Sequence, residues 1–148
     1  MEGFRHVLPI AVRFRDIDAL GHVNNAVFFT YLETARVEYM HQVALQTRVR
    51  DFREARLILA EISCQFKLPI FYGQSVQVGT RVVKMGNSSF SIEQCIEADG
   101  QLVAMSKSAV VHYDYHAGRS ARIPDELRAR VEAFELGIGE VERWDKLS

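Results

Sequence analysis

Residues 12–40, VRFRDIDALGHVNNAVFFTYLETARVEYM, consist of a polar loop followed by an apolar stripe at helical spacing. The stripe recurs at steps of three and four residues, as on a helix with one buried face. Its members are Phe28, Leu32, Ala35, Tyr39 and Val43. Asn24 or Asn25 is suited to cap the helix. We expect it to run for about 20 residues.

Strand-like patterns surround this helix. Residues 4–14 form a first strand candidate, and Pro9 indicates a sheet edge or a bulge. In LILAEISCQF, residues 57–66, alternation predicts one buried face consisting of Ile58, Ala60, Ile62, Cys64 and Phe66.

Three further strands are predicted to form an antiparallel meander. They span residues 75–84, 88–98 and 101–114, with reversals at Gly86-Asn87 and at Asp99-Gly100. A short closing helix follows, with Pro124 near its first position and Gly137 as its stop. The resulting fold class is α+β, with the long helix buried against an antiparallel sheet.

Composition limits the class of protein. The chain has 148 residues, of which 48% are hydrophobic, so residues 1–148 are predicted to form one domain. The 18 basic and 19 acidic residues nearly cancel, so no overall charge favours nucleic acid. No apolar run reaches the ~20 residues that a membrane span needs, and no signal peptide is evident. Cys64 and Cys95 are expected to be reduced thiols. Together with the lack of a membrane span and of a signal peptide, this predicts a cytoplasmic protein.

Common nucleotide and nucleophile motifs are missing from the sequence, including G-x-S-x-G and the Walker loop. His112 and His116 lie four residues apart in a predicted strand, where they are about 13 Å from each other. We therefore expect no metal site.

The loop RDIDALGHVNN, residues 15–25, is the candidate for chemistry. The free N–H groups of the helix start favour an anion or a polarised carbonyl oxygen beside Asp18. Asp18 could attack such a carbonyl or activate a water. An ordinary turn and helix cap is the alternative. We interpret Asp16 as a solvated or turn-forming residue, and His22 either as a base or as a hydrogen-bond donor that fixes the loop.

Residues 12–40 resemble the signature of the hotdog-fold acyl-CoA thioesterases, specifically the 4-hydroxybenzoyl-CoA thioesterase-like family. The similarity continues through AEISCQFKLPIFYGQ and GNSSF to HYD at residue 114, and it implies a long helix wrapped by an antiparallel sheet. The segment HVNN is similar to the form found in acyl-carrier-protein thioesterases. Some of those enzymes also have an asparagine where this chain has Leu20.

The resemblance also implies site residues. Asp18 takes the position of the catalytic carboxylate, and Asn25 the position whose backbone N–H polarises the thioester carbonyl. His22 and Asn24 line the same pocket. Lys84, Ser88 and Ser89 fall in the segment that borders the pantetheine path, although an ordinary polar hairpin rim is an equal interpretation.

The expected function is hydrolysis of an acyl-CoA, with no metal or other cofactor beyond the coenzyme A of the substrate. Acyl carrier protein remains an alternative carrier, and the family implies a homodimer or homotetramer. A non-catalytic acyl-thioester or protein-binding module and a 3-hydroxyacyl dehydratase are the competing hypotheses. The acyl group stays open, with Phe28, Phe29 and Tyr31 as candidate pocket residues.

Overall fold

The computed structural model describes residues 1–50 and 52–136. An antiparallel sheet curls around one long helix, which confirms the predicted α+β hotdog fold. The strands are β1 (His6–Ile10), β2 (Leu57–Phe66), β3 (Val76–Met85), β4 (Ser89–Ala98), β5 (Gln101–Asp114) and β6 (Arg119–Ser120). The helices are α1 (Asn25–Tyr39), α2 (Phe52–Ala55) and α3 (Asp125–Glu135). The sheet order is β1-β3-β4-β5-β2, and β6 pairs with the end of β5.

The helix α1 begins where the sequence predicts. The Asn24 side chain accepts a hydrogen bond from the Ala26 N–H at 2.8 Å, which makes Asn24 the cap. After 15 α-helical residues the chain continues through a six-residue π-helical segment, Met40–Leu45. Gln46 ends it in the left-handed conformation, with φ of 53°. All five members of the predicted apolar stripe are buried.

Two apolar clusters fill the space between α1 and the sheet. Near the helix start, Phe28 and Leu32 pack with Val78 and Ile96. Towards the helix end, a second cluster consists of Tyr39, Met40, Val82, Phe90, Val110 and Val131, among others. The start of α1 therefore lies over the end of the sheet where β3 begins and β4 ends.

One polar side chain, Gln94, is fully buried under α1. Its Nε2 donates to the backbone oxygen of Leu32 at 2.9 Å and to the Thr80 hydroxyl at 3.0 Å. Because a buried amide is costly unless it is hydrogen-bonded, these contacts fix the helix on the sheet at one position.

The two predicted hairpins are confirmed. Asp99 and Gly100 have φ of 49° and 79°, the positive values that a tight two-residue reversal requires. At the other hairpin, the Gly86 N–H donates to the Ser89 oxygen at 2.8 Å. The helix α3 starts after Pro124, with Asp125 and Glu126 in its first turn, as expected. The predicted stop at Gly137 lies outside the described residues.

The two sheet edges differ. The edge strand β1 is shorter than predicted and carries Pro9, which has no N–H to offer a further strand. On the opposite edge strand, β2, the predicted single buried face is wrong, because a register shift between Leu59 and Glu61 inserts a residue. Ile58 pairs with Val111 and Ile62 with Ser108, three residues apart on β5, so Ile58 and Ile62 point to opposite faces.

The predicted buried face of β2 is also largely accessible in the single chain. Ile58 and Phe66 are 38% and 41% exposed, and Cys64 is half-buried. Both cysteines, Cys64 and Cys95, are free. Among the described residues, no helix is both long and apolar enough to cross a membrane.

Candidate active site

The loop before α1 is closed by backbone hydrogen bonds. The Asn24 N–H donates to the Asp16 oxygen at 3.0 Å, and the Asp18 N–H donates to the His22 oxygen at 2.9 Å. Gly21 makes the reversal with φ of 87°, a value that side chains disfavour. The loop therefore returns Asp18 to the start of the helix, as its sequence predicts.

The first turn of α1 offers one backbone donor to this loop. The Ala26 N–H is bound by the Asn24 side chain, and the Val27 N–H donates to the Asn24 oxygen at 2.9 Å. The Asn25 N–H has no acceptor in the described part of the chain. A free donor at the positive end of a helix dipole suits an anion or a polarised carbonyl oxygen.

The Asp18 carboxylate is accessible, with its side chain 24% exposed. Its Oδ1 accepts the Leu20 N–H at 2.9 Å, and its Oδ2 accepts no hydrogen bond from the described residues. The His22 Nδ1 lies 4.0 Å from Oδ2 and 3.1 Å from the Val23 oxygen, so the imidazole is hydrogen-bonded to the loop backbone. This geometry favours the interpretation of His22 as a residue that fixes the loop.

Asp16 is not solvated, which corrects one of its two sequence interpretations. It is 2% exposed. Its carboxylate accepts the Tyr31 hydroxyl at 2.7 Å, the Arg13 N–H at 2.9 Å and the Arg13 guanidinium at 3.0 Å. Burial acts to raise the pKa of Asp16, but the hydrogen bonds and charge from Arg13 and Tyr31 outweigh it and hold that pKa below its ordinary value. Burial and the nearby Asp16 raise the pKa of Tyr31, so the phenol keeps its proton.

The chain does not bring Lys84, Ser88 and Ser89 to this loop. Val76, at the start of β3, pairs with Ile10 close to the loop, whereas Lys84 lies at the far end of the same strand. Eight residues of extended chain span about 26 Å. Ser88 and Ser89 follow at that far end, around the β3–β4 turn. Their proposed place along the pantetheine path stays a prediction.

Exposed aromatic and aliphatic side chains border the site, and the sequence did not predict Phe14 or Tyr72 there. Phe14 is 81% exposed and its ring lies 5.9 Å from that of Tyr72. Leu20 is 80% exposed in the loop itself. The segment that carries Tyr72 is joined to the loop because the Val23 N–H donates to the Ile70 oxygen at 2.8 Å. No local pattern in the sequence links these two segments.

The three aromatic residues predicted to shape the pocket have different surroundings in the structure. Phe28 and Phe29 lie with their ring centres 5.2 Å and 6.0 Å from that of Phe66, close to the helix start. Tyr31 instead points to Asp16.

The histidine pair outside the loop does not form a site. The His112 Nδ1 is 3.3 Å from the Ala121 oxygen, whereas His116 lies exposed in the turn after β5. Within residues 1–50 and 52–136, no group of three or more His, Cys, Asp and Glu residues could hold a metal ion.

Comparisons with known proteins agree on one family. Residues 12–131 match the family model of the thioesterase-like superfamily. A solved thioesterase from Thermus thermophilus, complexed with coenzyme A and Zn, is 38% identical, with a TM-score of 0.81 over 91% of this chain and 97% of that one. The betainyl-CoA thioesterase of Pseudomonas aeruginosa is 26% identical over 120 residues, 80% of this chain and 76% of that protein. The chloroplastic acyl-acyl carrier protein thioesterase ATL2 of Arabidopsis thaliana is 25% identical over 132 residues, 88% of this chain and 70% of that protein.

Proposed function

The chain belongs to the thioesterase-like superfamily and is a thioester hydrolase, and on this premise we propose that it hydrolyses an acyl-CoA to a free acid and coenzyme A. The supporting observation is that the loop before α1 carries an accessible carboxylate, Asp18, and that the first residue of α1 offers an unpartnered donor, the Asn25 N–H. A carboxylate and an oxyanion-type donor are the two groups that acyl transfer requires.

In the proposed reaction, the Asn25 N–H donates to the thioester carbonyl oxygen and polarises it. A well-aimed donor of this kind contributes about 3 kcal/mol to the transition state. Asp18 then accepts a proton from water, hydroxide adds to the carbonyl carbon, and the C–S bond breaks. The thiolate of coenzyme A takes the proton back from Asp18.

Asp18 could instead act as the nucleophile. Its carboxylate would form a mixed anhydride as coenzyme A leaves, and water would then hydrolyse this anhydride. Both routes need the free Asp18 Oδ2, and both use the same donor. Single-turnover hydrolysis in water enriched in oxygen-18 tests the nucleophilic route. Label in Asp18 requires water to attack the Asp18 carbonyl of the anhydride and would establish that route, whereas the general-base route labels only the released acid.

His22 and Asn24 are proposed as supporting residues of this pocket. The His22 ring is hydrogen-bonded to the Val23 oxygen, and the Asn24 side chain is used as the helix cap. We expect substitution of either to reduce turnover less than substitution of Asp18.

Two properties of the substrate go beyond thioester hydrolysis itself: the group that carries the thioester, and the acyl group. One relative is named for a CoA ester and another for an acyl carrier protein, so both carriers belong in the assay. The exposed Phe14, Leu20 and Tyr72 beside the loop favour a substrate with apolar character. The narrower resemblance to the 4-hydroxybenzoyl-CoA thioesterase-like family stays a prediction. The names of the relatives favour hydrolysis over a non-catalytic module or a dehydratase.

The test is thiol release from short, medium, long and aromatic acyl-CoAs and from an acyl carrier protein thioester. Asp18→Asn should abolish most turnover with each accepted substrate. Asp114→Asn is a matched control, because Asp114 also accepts the N–H two residues further on at 2.9 Å but lies at the end of β5. Undiminished thiol release by the Asp18 variant would reject the assignment of this residue.

We also propose that hydrolysis proceeds without a metal or other cofactor, as the sequence led us to expect. Thiol release by protein dialysed against a chelator should equal that of untreated protein. A rate that falls on chelation and returns with added Zn²⁺ would contradict this. The cytoplasmic location and the single-domain organisation expected from the sequence stay predictions.

We propose that two chains associate through their β2 edges. This edge strand has ten residues, a single charge at Glu61, and exposed apolar side chains at Ile58 and Leu59, a combination that favours pairing with another strand. Ile58→Arg should produce a monomer in sedimentation analysis. Val7→Arg, on the opposite sheet edge, is the control and should leave the assembly unchanged; a tetramer would require a second interface.

A further inference from the structure

Asp16 and Tyr31 form a buried hydrogen-bonded pair that the proposed hydrolysis does not use directly. The Tyr31 hydroxyl donates to Asp16 Oδ2 at 2.7 Å, and the two residues are 3% and 2% exposed. The Arg13 N–H donates to the same oxygen, and the Arg13 guanidinium donates to Oδ1. Both Asp16 oxygens are occupied and both side chains are buried, so neither side chain is exposed to a substrate in this structure.

The pair nevertheless connects the two proposed functional groups. The Asp16 backbone oxygen accepts the N–H of Asn24, the cap of α1, at 3.0 Å. Asp18 lies two residues beyond Asp16 on the loop, while Tyr31 belongs to α1, the helix that presents the Asn25 N–H. The Tyr31 hydroxyl therefore joins the loop that carries the carboxylate to the helix that carries the donor.

We propose that Tyr31 and Asp16 are positioning residues, which set where the Asp18 carboxylate lies relative to the Asn25 N–H. This rests on the function proposed for the loop. A displacement of about 1 Å between reacting groups can reduce turnover by about 100-fold without changing substrate binding. The specific consequence is a loss in kcat at constant KM.

The variant Tyr31→Phe tests this, because it removes only the hydroxyl and keeps the buried ring. We expect kcat to fall by about 10- to 100-fold, with KM within about twofold of the wild-type value. Arg13→Gln is a second variant, which removes the guanidinium from Asp16 but leaves Tyr31 in place. It should lower kcat in the same direction by a smaller factor.

The chain offers a matched control in Tyr39. This residue is fully buried in the same helix, and its hydroxyl donates to Glu135 Oε1, also at 2.7 Å. It lies eight residues beyond Tyr31, about 12 Å along the helix axis. Tyr39→Phe thus loses the same kind of hydrogen bond far from the loop. We expect a similar fall in Tm for the two variants, but a wild-type kcat only for Tyr39→Phe.

Amide hydrogen exchange gives a readout that does not depend on activity. The N–H groups of Asp18 and Asn24 are held by backbone oxygens within the loop. Loss of the Tyr31 hydroxyl should make these two amides exchange about 10- to 100-fold faster, whereas Tyr39→Phe should leave them unchanged. If the wild-type protein released no thiol from any acyl thioester, the proposed function would fail, and the exchange data would still decide whether Tyr31 positions the loop.

The outcomes that overturn the proposal are distinct. An equal fall in kcat for Tyr31→Phe and Tyr39→Phe would show a general effect of stability. A raised KM with unchanged kcat would assign Tyr31 to substrate binding instead. Unchanged exchange at Asp18 and Asn24 in Tyr31→Phe would show that the hydroxyl does not hold the loop.

Discussion

Replacing Asp16 and Asp18 separately by asparagine should lower kcat in both cases, but only Asp16→Asn should also destabilise the fold, although the residues are two positions apart. The Asp16 carboxylate accepts four hydrogen bonds, and an asparagine can keep only one oxygen, so two charge-assisted bonds are lost. Each is worth about 1.5–3 kcal/mol, but Arg13 is half exposed and regains hydration, so we expect a net loss of about 3 kcal/mol.

For a chain of this size, a loss of about 3 kcal/mol corresponds to a fall in Tm of about 6–12 °C. Asp18→Asn should change stability by less than about 0.5 kcal/mol, because an asparagine oxygen can still accept the Leu20 N–H. Its kcat should nevertheless fall by about 10²–10⁴-fold, the contribution of a positioned base.

Thermal unfolding and thiol release, measured on the same preparations, separate these effects. The pH adds a second check. Because the pKa of Asp16 is held below the ordinary value of 3.8, its stabilisation is present at neutral pH and is lost as the pH falls through that lowered pKa. The difference in Tm between wild type and Asp16→Asn should therefore narrow in strong acid. Equal Tm values at pH 7, or a destabilised Asp18→Asn, would refute the reasoning.

Three further outcomes are expected. Gly21→Ala places a side chain at φ of 87°, which should cost about 1–2 kcal/mol in denaturant unfolding and reduce turnover, whereas Gly118→Ala, also at positive φ, should cost stability alone. Phe90→Ala empties a fully buried position under α1 and should cost about 3–5 kcal/mol in the same measurement, with wild-type m-value. Burial raises the pKa of Glu135, so stability should fall as the pH rises from the ordinary value of 4.5 to that raised pKa; Glu135→Gln should make Tm less dependent on pH just above 4.5, and an unchanged dependence would contradict this.

Features with a local cause could be predicted from the sequence. The spacing of Phe28, Leu32 and Ala35 is a property of one helix, and the reversal at Asp99-Gly100 needs only two residues with positive φ. Predicting the loop also depended on neighbours in sequence. The cap at Asn24 and the turn at Gly21 both act within a few residues.

Features that depend on distant parts of the chain could not be predicted. The burial of Asp16 could not be predicted, because its partner Tyr31 lies 15 residues away. The register shift after Leu59 reversed the faces of β2, and alternation in sequence contains no sign of it. Phe14 and Tyr72 meet where two distant segments are joined by the Val23 N–H donating to the Ile70 oxygen.

The contrast between the two sheet edges has a consequence for the proposed association through β2. If two β2 edges pair about a two-fold axis, the joined sheet ends on both sides in β1, where Pro9 offers no N–H to a third chain. Under the proposed association, edge-to-edge growth beyond two copies would therefore be disfavoured. Pro9 on β1 would thus help to prevent a dimer formed through β2 from adding further chains and growing into a fibre.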